Sequence, residues 1–192
     1  SAVNSINWAR LLPQIIYYFS AALALGAPNR KVSFLVPSGN FSNVFSAFAA
    51  EALELPIDNL VIATNTNDIL SRFFNSGKME IKEVRPSLSP SMDIQVSSNF
   101  ERLLFDLCER DGPLTSEIIE NFRTNGYFDV ETEIIDRRAN IFSALSVDDE
   151  TTVARIKKTY RDTGEVIDPH SAVGLEAAHQ IRSSGSVSPE IP

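Results

Sequence analysis

The sequence predicts an α/β fold built on parallel strands, carrying a smaller helical subdomain. Two short runs, Val32–Val36 and Leu60–Thr64, are apolar at nearly every position, as strands covered on both faces are. Each is followed by a turn and then a helical pattern, and the strand, turn, helix order repeated is the α/β signature. With 192 residues, 43% apolar and 22% charged, the chain has ordinary globular composition and enough length for one large or two small domains.

In chain order, Trp8, Leu11, Leu12, Ile15, Ile16, Phe19, Leu23 and Ala24 recur at three- and four-residue spacing, which predicts a helix over Ile6–Leu25. Pro13 lacks a backbone donor, so it either kinks this helix or marks its true first turn. Gly26-Ala27-Pro28-Asn29 makes a turn into the first strand. The loop Pro37-Ser38-Gly39-Asn40-Phe41-Ser42-Asn43 then leads to a helix from about Val44 to Leu53, closed by Pro56. After the second strand, Thr66–Phe74 opens another helix behind Asn and Asp capping candidates.

Lys78 to Val96 changes character: Pro86, Pro90 and its serines predict a long ordered loop or an interdomain crossing. Phe100–Arg110 and Thr115–Thr124 read as amphipathic helices around Asp111-Gly112-Pro113, Tyr127–Asp136 as a weakly alternating strand, and Asp148–Thr163 as a helix with acidic residues at its positive end. Val166–Gly174 returns to a turn feeding a helix over Leu175–Arg182. The expected organisation is therefore an α/β domain over 1–85, a helical subdomain or insertion over 86–163, and a return to the α/β domain over 164–192.

Charge and composition narrow the function. Twenty-five acidic against 17 basic residues give a net charge of -8, so a nucleic-acid backbone is not an expected partner. The longest apolar stretch, Ile15 to Leu25, is too short for a membrane span, so a soluble, cytoplasmic chain is expected. Cys108 is the single cysteine and lies on an apolar helix face, which predicts a core thiol in a reducing compartment. The chain starts without Met or a secretory leader pattern and ends directly after a helical run, which reads as an excised piece of a longer polypeptide.

The loop after the first strand carries the chemistry. A glycine and hydrogen-bonding residues between a buried strand and a helix are where α/β proteins hold phosphate, because backbone donors and the helix dipole converge there. Gly39 allows close approach, and Ser38, Asn40, Ser42 and Asn43 offer donors, without the lysine of a Walker loop. Ser and Asn are also ordinary caps and turn formers, so the residues alone leave a simple capped turn open. Arg10 reads on its own as a solvated helix charge, and Asn65, Asn67 and Asp68 as caps at the same sheet edge. Asp168 is a cap candidate beside His170, which packs or hydrogen-bonds there or acts in catalysis.

Six motifs in one order now bear on the question: Asn4-Ser5-Ile6-Asn7-Trp8-Ala9-Arg10, Pro37–Asn43, Ala63–Phe73, Leu88–Ile94, Ser97–Arg102 and Asp168–Gly174. Together they resemble threonine synthase of the long bacterial and fungal type, a pyridoxal 5'-phosphate lyase of fold type II, the tryptophan-synthase β-like fold. The resemblance implies a central to C-terminal portion of an enzyme that converts O-phosphohomoserine and water to threonine and phosphate, the last step of threonine biosynthesis. It implies that Gly39, Asn40, Phe41, Ser42 and Asn43 cradle the cofactor phosphate, and that Asn4, Ser5 and Arg10 hold the substrate phosphate, for which a guanidinium fork is suited. The family carries glycine where this chain has Ser42. If that position required positive φ, a Cβ there would cost on the order of 1 kcal/mol. The family's Schiff-base lysine is implied to precede Ser1. Lys31, Lys78, Lys82, Lys157 and Lys158 match no such motif, so no catalytic residue is expected within the chain, and turnover is not expected of it alone. The alternative is a threonine-synthase-like protein without lyase turnover that binds a phosphorylated metabolite or a partner, with Ser42 as its support.

Overall fold

The computed structural model describes residues 7–131, 133–135, 141–185, 188 and 190–192. Three strands, β1 (Val32–Pro37), β2 (Ile57–Thr64) and β5 (Phe142–Ser146), form a parallel sheet in the order β1-β2-β5, so β2 is central. A separate antiparallel pair joins β3 (Lys78–Glu80) to β4 (Tyr127–Asp129). The helices are α1 (Trp8–Ala24), α2 (Ser42–Ala52), α3 (Ile69–Ser76), α4 (Phe100–Leu107), α5 (Gly112–Asn125), α6 (Asp149–Thr163) and α7 (Pro169–Ser184).

The apolar runs sit where the pleat requires. Leu60 and Ile62 of β2 enter the larger core with Val32, Phe34 and Val36 of β1 and Phe142 and Ala144 of β5, beneath residues of α1 to α4. Ala63, Leu35 and Leu145 face the other way, against Met92, Val147 and the Val173 and Ala177 face of α7. Successive residues thus bury opposite faces, which is why both strands read as continuous apolar runs. Gly174 sets the approach of α7 to β1: a Cβ there would come within 2.8 Å of the Pro37 ring. On the outer side α7 packs against α6, where the guanidinium of Arg155 meets Glu176 at 2.6 Å, with side chains only 11% and 12% exposed.

Several expectations change in detail. Helix α1 begins at Trp8 under an Asn7 cap and runs through Pro13, which therefore does not mark the first turn. The strand expected over Tyr127–Asp136 is short: β4 ends at Asp129, residues 133–135 are helical, and Thr132 and Asp136 fall outside the described residues. The third strand of the parallel sheet, β5, lies inside the stretch expected to be helical and was not anticipated. Lys78–Val96 is indeed mostly irregular, with β3 at its start and a 3-10 turn at Pro90–Met92. Cys108 is buried in the core, and burial pushes its thiol pKa up.

Candidate functional site

All three parallel strands end at one edge, and their following loops meet there. The Ser38 amide donates to Ala63 O at 2.9 Å and the Val147 amide to Thr64 O at 2.9 Å, tying the exits of β1 and β5 to that of β2. Crevices at this edge are where open α/β sheets bind ligands.

The exit of β1 is short and strained. Phe41 adopts the left-handed conformation at φ 65, costly for a bulky residue, and is held there by complete burial among Phe74 and Phe100. Its amide donates to Ser38 Oγ at 3.2 Å. The turn delivers the chain into α2, whose first turn has no side-chain cap; the first helical bond runs from the Phe45 amide to Phe41 O. Leading donors of a helix without a capping side chain, with the positive dipole end behind them, make a receptor for an anion.

Two sequence expectations are corrected here. The positive φ falls on Phe41, whereas neither Gly39 nor Ser42 has one. Ser42 is the first residue of α2, buried, with its hydroxyl donating to Asn43 Oδ1 at 3.1 Å, so its Cβ carries no conformational cost. Gly39 is small for another reason: a Cβ on it would sit 3.1 Å from Met92 Cα and 3.2 Å from Ile94. The 85–94 loop presses against its back.

That loop is fixed by a network that the capping expectation for Asn65 and Asn67 missed. Asp93 Oδ1 accepts from Ser87 Oγ (2.6 Å), Asn65 Nδ2 (2.7 Å) and Asn67 Nδ2 (2.9 Å), and Oδ2 accepts from the Ser87 amide (2.8 Å). Burial alone would raise the Asp93 pKa, but these donors outweigh it and hold the carboxyl below its ordinary value. Asn67 also joins both the amide and the carbonyl of Arg85. Asp68 occupies the N-cap position of α3 without capping it and pairs instead with Arg72 at 2.9 Å.

Asn40 is held from the Ser97–Arg102 motif: its Oδ1 accepts from Ser98 Oγ at 2.7 Å and Asn99 Nδ2 at 3.1 Å. Arg102, in turn, donates to Asn99 Oδ1 at 3.2 Å and lies over the Trp8 ring, 4.9 Å from its centroid. Trp8 also meets Phe45 edge-on, which sets the start of α1 against α2. Arg10 is exposed in that first turn of α1, while Asn4 and Ser5 lie outside the described residues.

The remaining candidates divide clearly. Asp168 caps α7 through the amides of His170 (2.9 Å) and Ser171 (3.2 Å). The Ser171 hydroxyl, followed by these amides, pulls its pKa down to about 2. His170 Nδ1 lies 3.1 Å from Asp168 Oδ1. All five lysines are exposed; Lys31 stands at the opposite, N-terminal edge of the sheet, and Lys158 pairs with Asp162. Among the described residues no cluster could hold a metal ion, and no helix is long and apolar enough to cross a membrane.

The doubly covered parallel sheet, with its strained strand-to-helix turn at the shared edge, is part of a fold type II domain, the tryptophan-synthase β-like architecture of pyridoxal-phosphate enzymes. No protein-family model matches the chain. It is homologous to threonine synthase: it is 50% identical over 186 residues to that of Pseudomonas aeruginosa, covering 97% of this chain and 40% of the relative. A solved pyridoxal-phosphate-bound threonine synthase from Brucella melitensis superposes with a TM-score of 0.94 at 45% identity, over all of this chain and 40% of that one. The yeast enzyme gives a TM-score of 0.90 at 40% identity, over 97% of this chain and 40% of that one. The chain thus spans about 40% of the length of the curated relatives it matches.

Proposed function

We propose that this chain belongs to an active threonine synthase, which releases phosphate from O-phosphohomoserine and adds water to yield threonine. In this reading Gly39, Asn40, Phe41, Ser42 and Asn43 cradle the phosphate of pyridoxal 5'-phosphate. The observation that carries it is the first turn of α2, which no side chain caps, reached through a buried residue held at positive φ. An ordinary capped turn needs neither feature, whereas a dianion beside the turn would satisfy the leading amides. The Ser42 conformation removes the ground for a family member without turnover, since a helical serine fits where the family has glycine.

Within this function the chain's own residues bind and orient. The α2 amides fix the cofactor phosphate; the cofactor itself supplies an electron sink for the elimination. The buried Phe41 wall excludes water from the back of the cradle. Arg10, in the first turn of α1, is assigned to the substrate phosphate together with Asn4 and Ser5. No lysine of the chain stands at this edge, so the amine that the chemistry needs is assigned to the remainder of the full-length protein. A cytoplasmic location accompanies this biosynthetic role.

The test uses the full-length protein. Titration with pyridoxal phosphate should produce a saturable visible absorbance band, and O-phosphohomoserine should then release inorganic phosphate. Arg10→Ala should raise KM for O-phosphohomoserine by about tenfold or more, the loss of a charge-assisted contact, with the band unchanged. Absence of phosphate release by a protein that binds the cofactor would refute the activity, and an unchanged KM would remove Arg10 from the site.

A further inference from the structure

We infer that Arg102 and Asn99 act as a polarity relay that fixes which end of the Asn40 amide faces the cradle, making Asn99 and Arg102 positioning residues for the cofactor. The inference rests on the cofactor-loop reading above and adds to it a mechanism of orientation.

An amide side chain has a donor end and an acceptor end of nearly equal shape, so its orientation is decided by its neighbours. A guanidinium has donors only. Arg102 Nε points at Asn99 at 3.2 Å, so the atom it meets must be the Asn99 carbonyl oxygen. The opposite end of Asn99 is then its NH2 group, which meets Asn40 at 3.1 Å, and Asn40 must answer with its own oxygen. The Ser98 hydroxyl, able to play either role, adds a second donor to that oxygen at 2.7 Å. With Oδ1 committed to two donors, what Asn40 offers beyond them is its NH2. A side chain that serves as donor suits an anionic or phenolate oxygen, whereas the flipped amide would present a carbonyl and repel it.

The relay is built to hold. Asn99 is fully buried, so no water competes for its two ends. Arg102 is anchored over the faces of Trp8 (4.9 Å) and Phe45 (6.0 Å), which keeps its donor aimed. Because Trp8 opens α1, the same guanidinium ties the helix bearing Arg10 to the loop bearing Asn40, and both arms of the site share one reference point.

The experiment compares the full-length wild-type protein with Asn99→Asp, Asn40→Ala and the double variant, reading pyridoxal phosphate Kd by absorbance and melting temperature on the apo protein. Asn99→Asp keeps size and the Arg102 contact but has only acceptors, so Asn40 must turn its NH2 toward residue 99 and its oxygen toward the cradle. The expected result is a Kd raised about tenfold or more in Asn99→Asp and in Asn40→Ala, with no further loss in the double variant, because the first change acts only through Asn40. Ser98→Ala, which removes one donor and leaves the relay, should show a smaller rise that also vanishes in the Asn40→Ala background. Should Asn99→Asp fail to fold, the Ser98→Ala cycle decides alone: an equal Kd rise with and without Asn40 overturns the relay. A wild-type Kd in Asn99→Asp beside a raised Kd in Asn40→Ala overturns the relay and leaves the cofactor loop standing. A wild-type Kd in Asn40→Ala overturns both.

Discussion

Replacing Asp93 with asparagine should unfold the support behind the cradle at modest cost in shape. The carboxylate receives four donors, three on Oδ1 and one on Oδ2. Asparagine can keep Oδ1 as an oxygen, but its new NH2 must then oppose the Ser87 amide, donor against donor. That loses one charge-assisted bond, at about 1.5–3 kcal/mol, and weakens the other three from charged to neutral acceptors. Discounted for partial solvent access and for the loop's freedom to adjust, Asp93→Asn should cost about 2–3 kcal/mol. Urea denaturation at neutral pH measures it directly. The pH dependence has a definite sign: a carboxyl whose pKa is lowered on folding stabilises above its unfolded value, and that contribution fades as pH falls through the folded one. The gap between wild type and Asp93→Asn should therefore be full at neutral pH and close on acidification into and below the carboxylate range. Because the 85–94 loop abuts Gly39, cofactor affinity should fall with the stability. A variant within about 0.5 kcal/mol of wild type at neutral pH would refute the claim that this carboxylate organises the loop.

Three further outcomes are expected. Ser42→Gly should destabilise the protein by up to about 1 kcal/mol, because glycine at helical φ only adds unfolded-state freedom; a gain in stability would show that Ser42 is strained after all. Gly39→Ala places a methyl 3.1 Å from the Met92 Cα. Backbone must give way there, so a loss of about 1–3 kcal/mol by denaturation is expected, and a neutral result would mean that the loop is loosely held. Asp168→Ala removes the α7 cap at a cost of about 1 kcal/mol. Since Asp168 is depressed to about 2, the difference in melting temperature should hold above about pH 4 and shrink below it; a difference that grows on acidification would contradict the cap.

What the sequence disclosed follows from how each feature is encoded. Strands β1 and β2 announce themselves because both faces are covered, so every position is apolar. Strand β5 belongs to the same sheet, yet Phe142-Ser143-Ala144-Leu145-Ser146 mixes two serines into a half-buried pattern, and only its pairing with β2 makes it a strand. The helix starts at Asp111, Asp148 and Asp168 were legible because a cap and the amides it meets are neighbours in sequence. Asn65 and Asn67 look like caps by the same local logic. Their partners lie 18 to 28 residues away, a separation that residue type cannot reveal.

Phe41 shows where local rules invert. Gly39 drew attention as the residue that frees the backbone, yet the left-handed position is two residues later and carries a phenylalanine. Strain of order 1–2 kcal/mol is offset there by burying a large ring among Phe74 and Phe100, a gain of about 1.5–3 kcal/mol that depends on α3 and α4 arriving from elsewhere in the chain. A glycine at position 41 would relax the turn and surrender the packing. Tertiary contacts of the aromatic cluster thus hold a conformation that the backbone disfavours, and it is this conformation that leads into the α2 amides. The anion receptor is a consequence of the core behind it, which is why the loop's composition suggested phosphate while leaving a capped turn open.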